Sequence, residues 1–125
     1  EMSNDKIHSI VVSNVTMDCE SGIHHLMLSL IPPFGTELLL QNFSQVSTEC
    51  NQNLPTRVQL CFNEQQGEDL CDFTNNTKNT TIMMLKPEDS FAVCKGKSTK
   101  GTWTVKFTNM GQSKARISYF VLELN

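Results

Sequence analysis

Histidine and cysteine are the side chains of this 125-residue chain that are best suited to bind a metal or act as nucleophiles. No two cysteines are spaced as Cys-x-x-Cys, and none lies at zinc-finger spacing from His8, His24 or His25. The residues around His24 and His25 alternate as in a strand, which predicts that the two rings point to opposite faces. The sequence therefore favours neither a zinc centre nor a histidine-based active site.

Acidic side chains cluster in one polar segment, where Glu64 is followed by Glu68, Asp69 and Asp72. Calcium takes several oxygen ligands, so Glu68, Asp69 and Asp72 are the candidate residues for such a site. Their spacing is not that of an EF-hand, and the alternative is a solvated hairpin tip. The chain contains no G-x-S-x-G elbow, glycine-rich phosphate loop or H-E-x-x-H motif, so we predict a domain that is not an enzyme and needs no cofactor.

Five cysteines in a domain of this size are typical of disulfide-bonded proteins. Cys61 and Cys71 flank a polar turn between two strand-like runs, and we predict that they form a bridge across a hairpin. Closing such a short loop contributes about 2–3 kcal/mol in the chain-entropy model. The pairing of Cys19, Cys50 and Cys94 stays open, and the odd cysteine is either buried and inert or bonded outside this segment.

Four N-x-S/T sequons begin at Asn14, Asn42, Asn75 and Asn79. Residues 74–80 contain no apolar side chain and predict an exposed loop, which suits glycans on Asn75 and Asn79. Structural disulfides persist in oxidising compartments, so the sequons and the cysteines together predict the secretory pathway. The expected location is secreted or on the extracellular face of a membrane protein, with any signal or anchor outside this segment.

The net charge is −3, and the basic residues are scattered. The densest run, Lys95, Lys97 and Lys100, predicts a solvated loop or a contact for an acidic partner. It is too small for a nucleic-acid-binding face, which needs a broad basic surface. No apolar stretch has the length of a membrane-spanning helix, so we expect membrane attachment only through segments outside this one.

Short apolar runs separated by turn residues indicate an all-β protein. The clearest is 102–108, where Trp103, Val105 and Phe107 alternate with polar residues. Residues 117–124 are apolar on both faces, which predicts a buried central strand. The predicted strands are 10–12 with 15–17 (one bent strand or two short ones), 23–31, 36–41, 57–62, 69–73, 81–85, 90–94, 102–108 and 117–124. About eight or nine short strands predict one antiparallel β-sandwich or jelly roll over residues 1–125.

A turn at residues 32–35 follows the second strand, because Pro32 and Pro33 block its continuation. Phe34 lies at the tip of this turn. Two interpretations of Phe34 stay open: it contacts a partner, or it folds back onto the sandwich.

Two stretches resemble the P domain, the β-jelly-roll that follows the catalytic domain of subtilisin-like proprotein convertases. Residues 22–40 contain a strand, the turn Pro-Phe-Gly-Thr at 33–36 and a leucine-rich strand. Residues 101–124 contain Gly-Thr-Trp, an alternating strand and a final apolar strand. The acidic residue that usually follows the first glycine of the family pattern is absent after Gly22, which places the chain outside the convertases themselves.

We predict from these observations a non-catalytic extracellular module of a secreted or membrane glycoprotein, such as a receptor. It would mediate protein–protein contact or support a neighbouring domain of the same polypeptide, without binding nucleic acid. The resemblance implies an alternative, an accessory domain that stabilises a subtilisin-like protease. A glycan-binding, lectin-like domain is a further alternative.

Overall fold

The computed structural model describes residues 6–45, 54–76 and 81–125, and it is mainly β. The strands are β1 (Ile10–Cys19), β2 (Leu26–Ile31), β3 (Leu38–Asn42), β4 (Arg57–Asn63), β5 (Ile82–Leu85), β6 (Thr104–Asn109) and β7 (Ala115–Leu124). One α-helix, α1, covers Leu70–Asn76, and short 3-10 helices cover Ile23–His25, Phe43–Gln45 and Phe91–Cys94.

The strands form two sheets. The larger has the order β5-β4-β1-β7 and the smaller the order β3-β2-β6. A single parallel bridge from Glu68 to Leu85 extends the larger sheet beyond β5. With this bridge counted, the sheets have five and three strands, eight in all. The predicted mainly β, two-sheet class is therefore confirmed.

The core lies between the sheets and is built from alternate residues of each strand. In β1 the buried residues are Ile10 and Val12, and then Val15, Met17 and Cys19. The alternation shifts by one residue because β1 contains a bulge, seen as register shifts against both β4 and β7. One bent strand, the first of the two interpretations, is thus correct.

The prediction of a strand at 69–73 is wrong, because this segment lies mostly in helix α1. The Phe73 N–H donates to the Asp69 carbonyl at 2.9 Å, a helical bond. The physical reason is the pairing of β4 with β5, which is parallel. Parallel neighbours need a crossover connection rather than a tight hairpin, and α1 lies in that connection.

Two further strand predictions are shortened or replaced. Residues 23–25 form a 3-10 helix before β2, and residues 91–94 form another. Ser90 caps the second of these, because its Oγ accepts a hydrogen bond from the Ala92 N–H at 3.1 Å. A serine side chain that accepts a hydrogen bond from the backbone N–H two residues on favours this local turn over an extended chain.

The last strand, β7, is an edge strand and not the predicted central one. Among the described residues it pairs with β1 alone. Its inward residues Leu122 and Leu124 lie opposite Val12 and Ile10 and pack against the core. The apolar pattern of β7 therefore reflects partial burial at a sheet edge.

Candidate functional site

The turn after β2 places an aromatic side chain at one end of the sandwich. The Gly35 N–H donates to the Pro32 carbonyl at 2.9 Å and closes the turn. The Phe34 ring meets the Trp103 ring edge to face, with 6.4 Å between ring centroids and 83° between planes. Phe34 is still 38% exposed. It folds back onto the sandwich, as the second interpretation has it, and keeps part of its ring exposed; contact with a partner stays a prediction.

Three contacts fix this aromatic corner, which we define as Pro33, Phe34, Lys97, Gly101 and Trp103. The Trp103 Nε1–H donates to the Thr99 carbonyl at 3.1 Å. The Lys97 ammonium lies 5.5 Å from the centroid of the Phe34 ring, within cation–π distance. Gly101 has φ +117°, and a Cβ there would lie 2.5 Å from the Pro33 Cβ. The backbone at Gly101 therefore lies so close to Pro33 that a residue with a side chain would overlap the proline ring.

A cleft opens between the edges of the two sheets. It lies beside β6, the strand that begins directly after Trp103. It has a volume of about 220 Å³ and is lined by Val105 of β6 and by Ile117, Ser118 and Phe120 of β7. Phe120 is 39% exposed. Val105 and Ile117 are half-buried and pack against the core. The cleft is therefore an opening in the side of the sandwich, floored by core residues.

The opposite edges of the two sheets are covered by the chain itself. At β3, the Glu88 and Asp89 N–H groups donate to the Leu40 and Leu39 carbonyls at 3.0 and 2.9 Å. At β5, the Glu68 N–H donates to the Met84 carbonyl at 3.2 Å. In the described ranges, β6 pairs only with β2 and β7 only with β1. The uncovered strand edges therefore coincide with the exposed apolar cleft.

Charged side chains flank the open edges without closing them. Lys106 of β6 lies 3.6 Å from Glu37, and Arg116 of β7 lies 3.6 Å from Asp18. Lys106 and Arg116 are largely exposed, so each pair contributes at most about 1 kcal/mol. Charges on edge strands also disfavour indiscriminate pairing with other sheets.

The predicted Cys61–Cys71 bridge is wrong. Cys61 is a free thiol on β4, whereas Cys71 lies in α1 and is disulfide-bonded. The hairpin that would have paired them does not form, because β4 is followed by the crossover to parallel β5. Cys19 and Cys94 are free and buried, and Cys50 lies outside the described residues.

Burial raises the pKa of two free thiols, those of Cys61 and Cys94. Desolvation raises the pKa of Cys61, and the nearby Glu123 carboxylate raises it further. Desolvation also raises the pKa of Cys94, partly offset by Lys97. A raised pKa lowers the fraction of thiolate, which is the nucleophilic form of cysteine.

The sequon asparagines differ in accessibility. Asn14 is exposed at the bulge of β1. Asn42 is only 7% exposed, and its Oδ1 accepts hydrogen bonds from the Ser44 N–H at 3.1 Å and the Ser44 hydroxyl at 2.6 Å. Asn75 lies in α1 rather than in the predicted loop. Its side chain, like all of Asn79, is outside the described part of the molecule.

The candidate calcium residues lie in the connection between β4 and β5. The Glu68 N–H donates to the Met84 carbonyl, the Asp69 carbonyl accepts from the Phe73 N–H, and Asp72 lies in the first turn of α1. Glu64 turns to Ser90 and Phe91, with its carboxylate accepting bonds at 2.5 and 3.1 Å. In residues 6–45, 54–76 and 81–125, no group of three or more acidic, histidine or cysteine side chains is placed to hold a metal.

The two adjacent histidines are closer together than predicted. Because residues 23–25 form a 3-10 helix, the His24 and His25 rings lie on the same side, with centroids 4.1 Å apart. The expectation of opposite faces is therefore wrong.

Sequence reasoning identified Phe34 and Trp103 but missed Val105, Ile117 and Phe120 as surface residues. The signal was present in the two apolar faces of β7, which we assigned to a buried strand. Comparisons with protein-family models, with curated proteins and with solved structures find no match to this chain. In the described part of the chain, no helix has the length and apolar character needed to cross a membrane.

Proposed function

We propose that this chain is a non-catalytic extracellular module that binds an extended segment of another polypeptide or of a neighbouring domain. The contact surface is the β6–β7 cleft together with the aromatic corner. The observation that carries the proposal is the coincidence of the uncovered edges of β6 and β7 with the exposed Phe120, while Phe34 packs on Trp103 just before β6.

The chemistry of this surface suits strand addition. An extended peptide that pairs with an edge strand gains main-chain hydrogen bonds, and its alternate side chains enter the neighbouring pocket. The cleft of about 220 Å³ accepts one apolar side chain of moderate size. Aromatic residues such as Phe34 and Phe120 are enriched in the cores of protein interfaces.

The secretory location belongs to the same proposal. It is supported by the disulfide-bonded state of Cys71 and by the exposed sequon at Asn14. A structural disulfide is typical of an oxidising compartment, and an accessible sequon is compatible with passage through a glycosylating one. As part of this proposal we assign the module to a secreted or cell-surface glycoprotein.

A second candidate is the accessory P-type domain of a subtilisin-like protease, with the jelly-roll topology of that family. One observation favours it: the two stretches that carry the resemblance meet at the aromatic corner, where Phe34 packs on Trp103. In this case the partner is the protease domain of the same polypeptide. The same surface serves both candidates, so identifying the bound partner separates them.

Photo-crosslinking in the full-length secreted protein tests the contact surface. A photoreactive phenylalanine analogue replaces Phe120 in one variant and Phe34 in another. Met84 is the matched control, because it has the same 39% exposure as Phe120 and lies on β5, at the far side of the larger sheet. We expect cross-links to a polypeptide segment from positions 120 and 34 and none from position 84.

The mass of the cross-linked peptide identifies the partner. A segment of a subtilisin-like domain favours the second candidate, and any other protein segment favours the first. Equal cross-linking from positions 120 and 84, or no cross-link from position 120 in protein that remains folded, would contradict the proposed surface.

A further inference from the structure

Asn14 occupies an unusual position in the middle of a central strand. It is the one non-glycine residue with a positive φ in the described chain, at +56°. Asparagine tolerates this left-handed conformation better than most residues. The bulge pushes Asn14 out of the alternation of β1, so that its side chain is exposed on the outer face of the larger sheet.

A hydrogen bond orients the Asn14 amide. The Gln59 Nε2–H donates to the Asn14 Oδ1 at 3.0 Å. This bond uses the oxygen of the amide, whereas an N-linked glycan is attached to its nitrogen. The folded protein therefore holds the side chain in place while its Nδ2 remains available to carry a sugar.

A groove of about 350 Å³ lies beside this amide. Its lining consists of the apolar residues Val58 and Ile82 and the polar residues Thr16, Arg57, Gln59 and Thr81. Thr16, Gln59 and Ile82 stand in one row across the sheet, because Thr16 pairs with Gln59 and Gln59 pairs with Ile82. Ile82 is 64% exposed, more than any other large apolar side chain in the described residues.

An isoleucine this exposed on a short strand near the end of a sheet is a liability for self-association. A covalent sugar attached one residue pair away is positioned to cover it. The chain supplies this cover from its own sequon, Asn14-Val15-Thr16, because Thr16 lines the groove and Asn14 is bonded to Gln59 of the lining.

We propose that Asn14 carries an N-linked glycan whose first sugars lie in the Thr16–Gln59–Ile82 groove and shield Ile82 from solvent. The inference rests on the proposed function in one respect, passage through the secretory pathway. It assigns the outer face of the larger sheet to the glycan and leaves the β6–β7 cleft, on the other side of β1, for the partner.

The test compares Thr16→Ala with Thr16→Ser in the full-length protein secreted from animal cells. Thr16→Ala abolishes the sequon but keeps Asn14 and its bond to Gln59, whereas Thr16→Ser keeps the sequon. Occupancy is read from the Asn-to-Asp mass change at position 14 after enzymatic removal of the glycan. We expect modification at Asn14 in the wild type and in Thr16→Ser, and none in Thr16→Ala.

The fluorescence of an apolar dye measures the exposure of the groove, and sedimentation measures self-association. Thr16→Ala is expected to bind about twofold more dye than Thr16→Ser and to self-associate. Adding Ile82→Thr to Thr16→Ala restores the wild-type behaviour, because it removes the apolar surface that the sugar covers. Circular dichroism of all variants reports whether each one is folded.

Two results separate this inference from the proposed function. An unmodified Asn14 in protein whose other sequons are modified overturns the glycan site and leaves the secretory route intact. Protein without any glycan overturns both. Equal dye binding by Thr16→Ala and Thr16→Ser, or a photoreactive group at Ile82 that captures another polypeptide, overturns the assignment of the groove to the sugar.

Discussion

The aromatic corner depends on the absence of a side chain at Gly101, and a single methyl group tests this. In Gly101→Ala the new Cβ would lie 2.5 Å from the Pro33 Cβ and 2.8 Å from its Cγ. The backbone at this position has φ +117°, a conformation that side-chain-bearing residues rarely adopt. Two separate costs are therefore expected, one from the backbone and one from the contact.

Gly35→Ala separates these costs. Gly35 has φ +96°, but its added Cβ meets nothing within 4 Å. The backbone cost of about 1–2 kcal/mol is common to both variants. The overpacking cost of about 1–3 kcal/mol applies only at Gly101, since Pro33 is a rigid ring that cannot rotate away. We expect Gly101→Ala to lower the free energy of unfolding by about 2–5 kcal/mol.

Urea unfolding measures both variants. The chain has a single tryptophan, so the native fluorescence reports on the corner directly. Gly101→Ala is expected to shift the Trp103 emission, whereas Gly35→Ala is expected to change it far less. If Gly101→Ala destabilises the protein no more than Gly35→Ala and leaves the emission unchanged, the close approach of Gly101 to Pro33 is refuted.

The remaining predictions concern two thiols and a buried amide. Cys61 is expected to react with an alkylating agent without reductant and Cys71 only after reduction, and a Cys61–Cys71 cross-link in a non-reducing peptide map would contradict this. Because desolvation and then Glu123 raise the pKa of Cys61, its contribution to stability is complete below the ordinary thiol pKa of about 8.5 and is lost as pH rises through the folded value. Glu123→Gln is expected to weaken this loss of stability at alkaline pH. An identical dependence of the free energy of unfolding on pH in the two proteins would contradict the effect of the Glu123 carboxylate on Cys61. Asn42→Ala should cost about 1–3 kcal/mol because it leaves the Ser44 N–H and hydroxyl without their acceptor, whereas Ser44→Ala removes one of these bonds and should cost less. Asn42 should carry no glycan, and mass spectrometry of its peptide checks this.

The two-layer architecture could be predicted because inward-facing residues alternate in most strands. Val105 and Phe107 illustrate this, since their period of two matches β6, whereas Trp103 lies just before this strand. The neighbours of each strand could not be predicted in the same way. Nothing local in residues 57–62 or 81–85 states that β4 and β5 run parallel, and this pairing is what prevents the Cys61–Cys71 hairpin.

Some residues of the candidate site could likewise be predicted from the sequence, and others could not. Phe34 could be singled out because two prolines force it onto a turn, and Asn14 because it begins a sequon. Phe120 could not, because an apolar residue at a sheet edge and one in a central strand have the same local sequence pattern. The exposure of Phe120 depends on which strands stand beside β7, and that information is non-local.

The position of β1 has a consequence for how the chain folds. Its neighbour β7 is formed by Ala115–Leu124, so the pairs Ile10–Leu124 and Cys19–Ala115 join opposite ends of the described sequence. Contacts of such large sequence separation close slowly, because the loop entropy is lost before the contact energy is gained. During synthesis, one side of β1 therefore stays unpaired until β7 has emerged from the ribosome. A chain truncated before residue 115 would leave the central strand of its larger sheet permanently exposed.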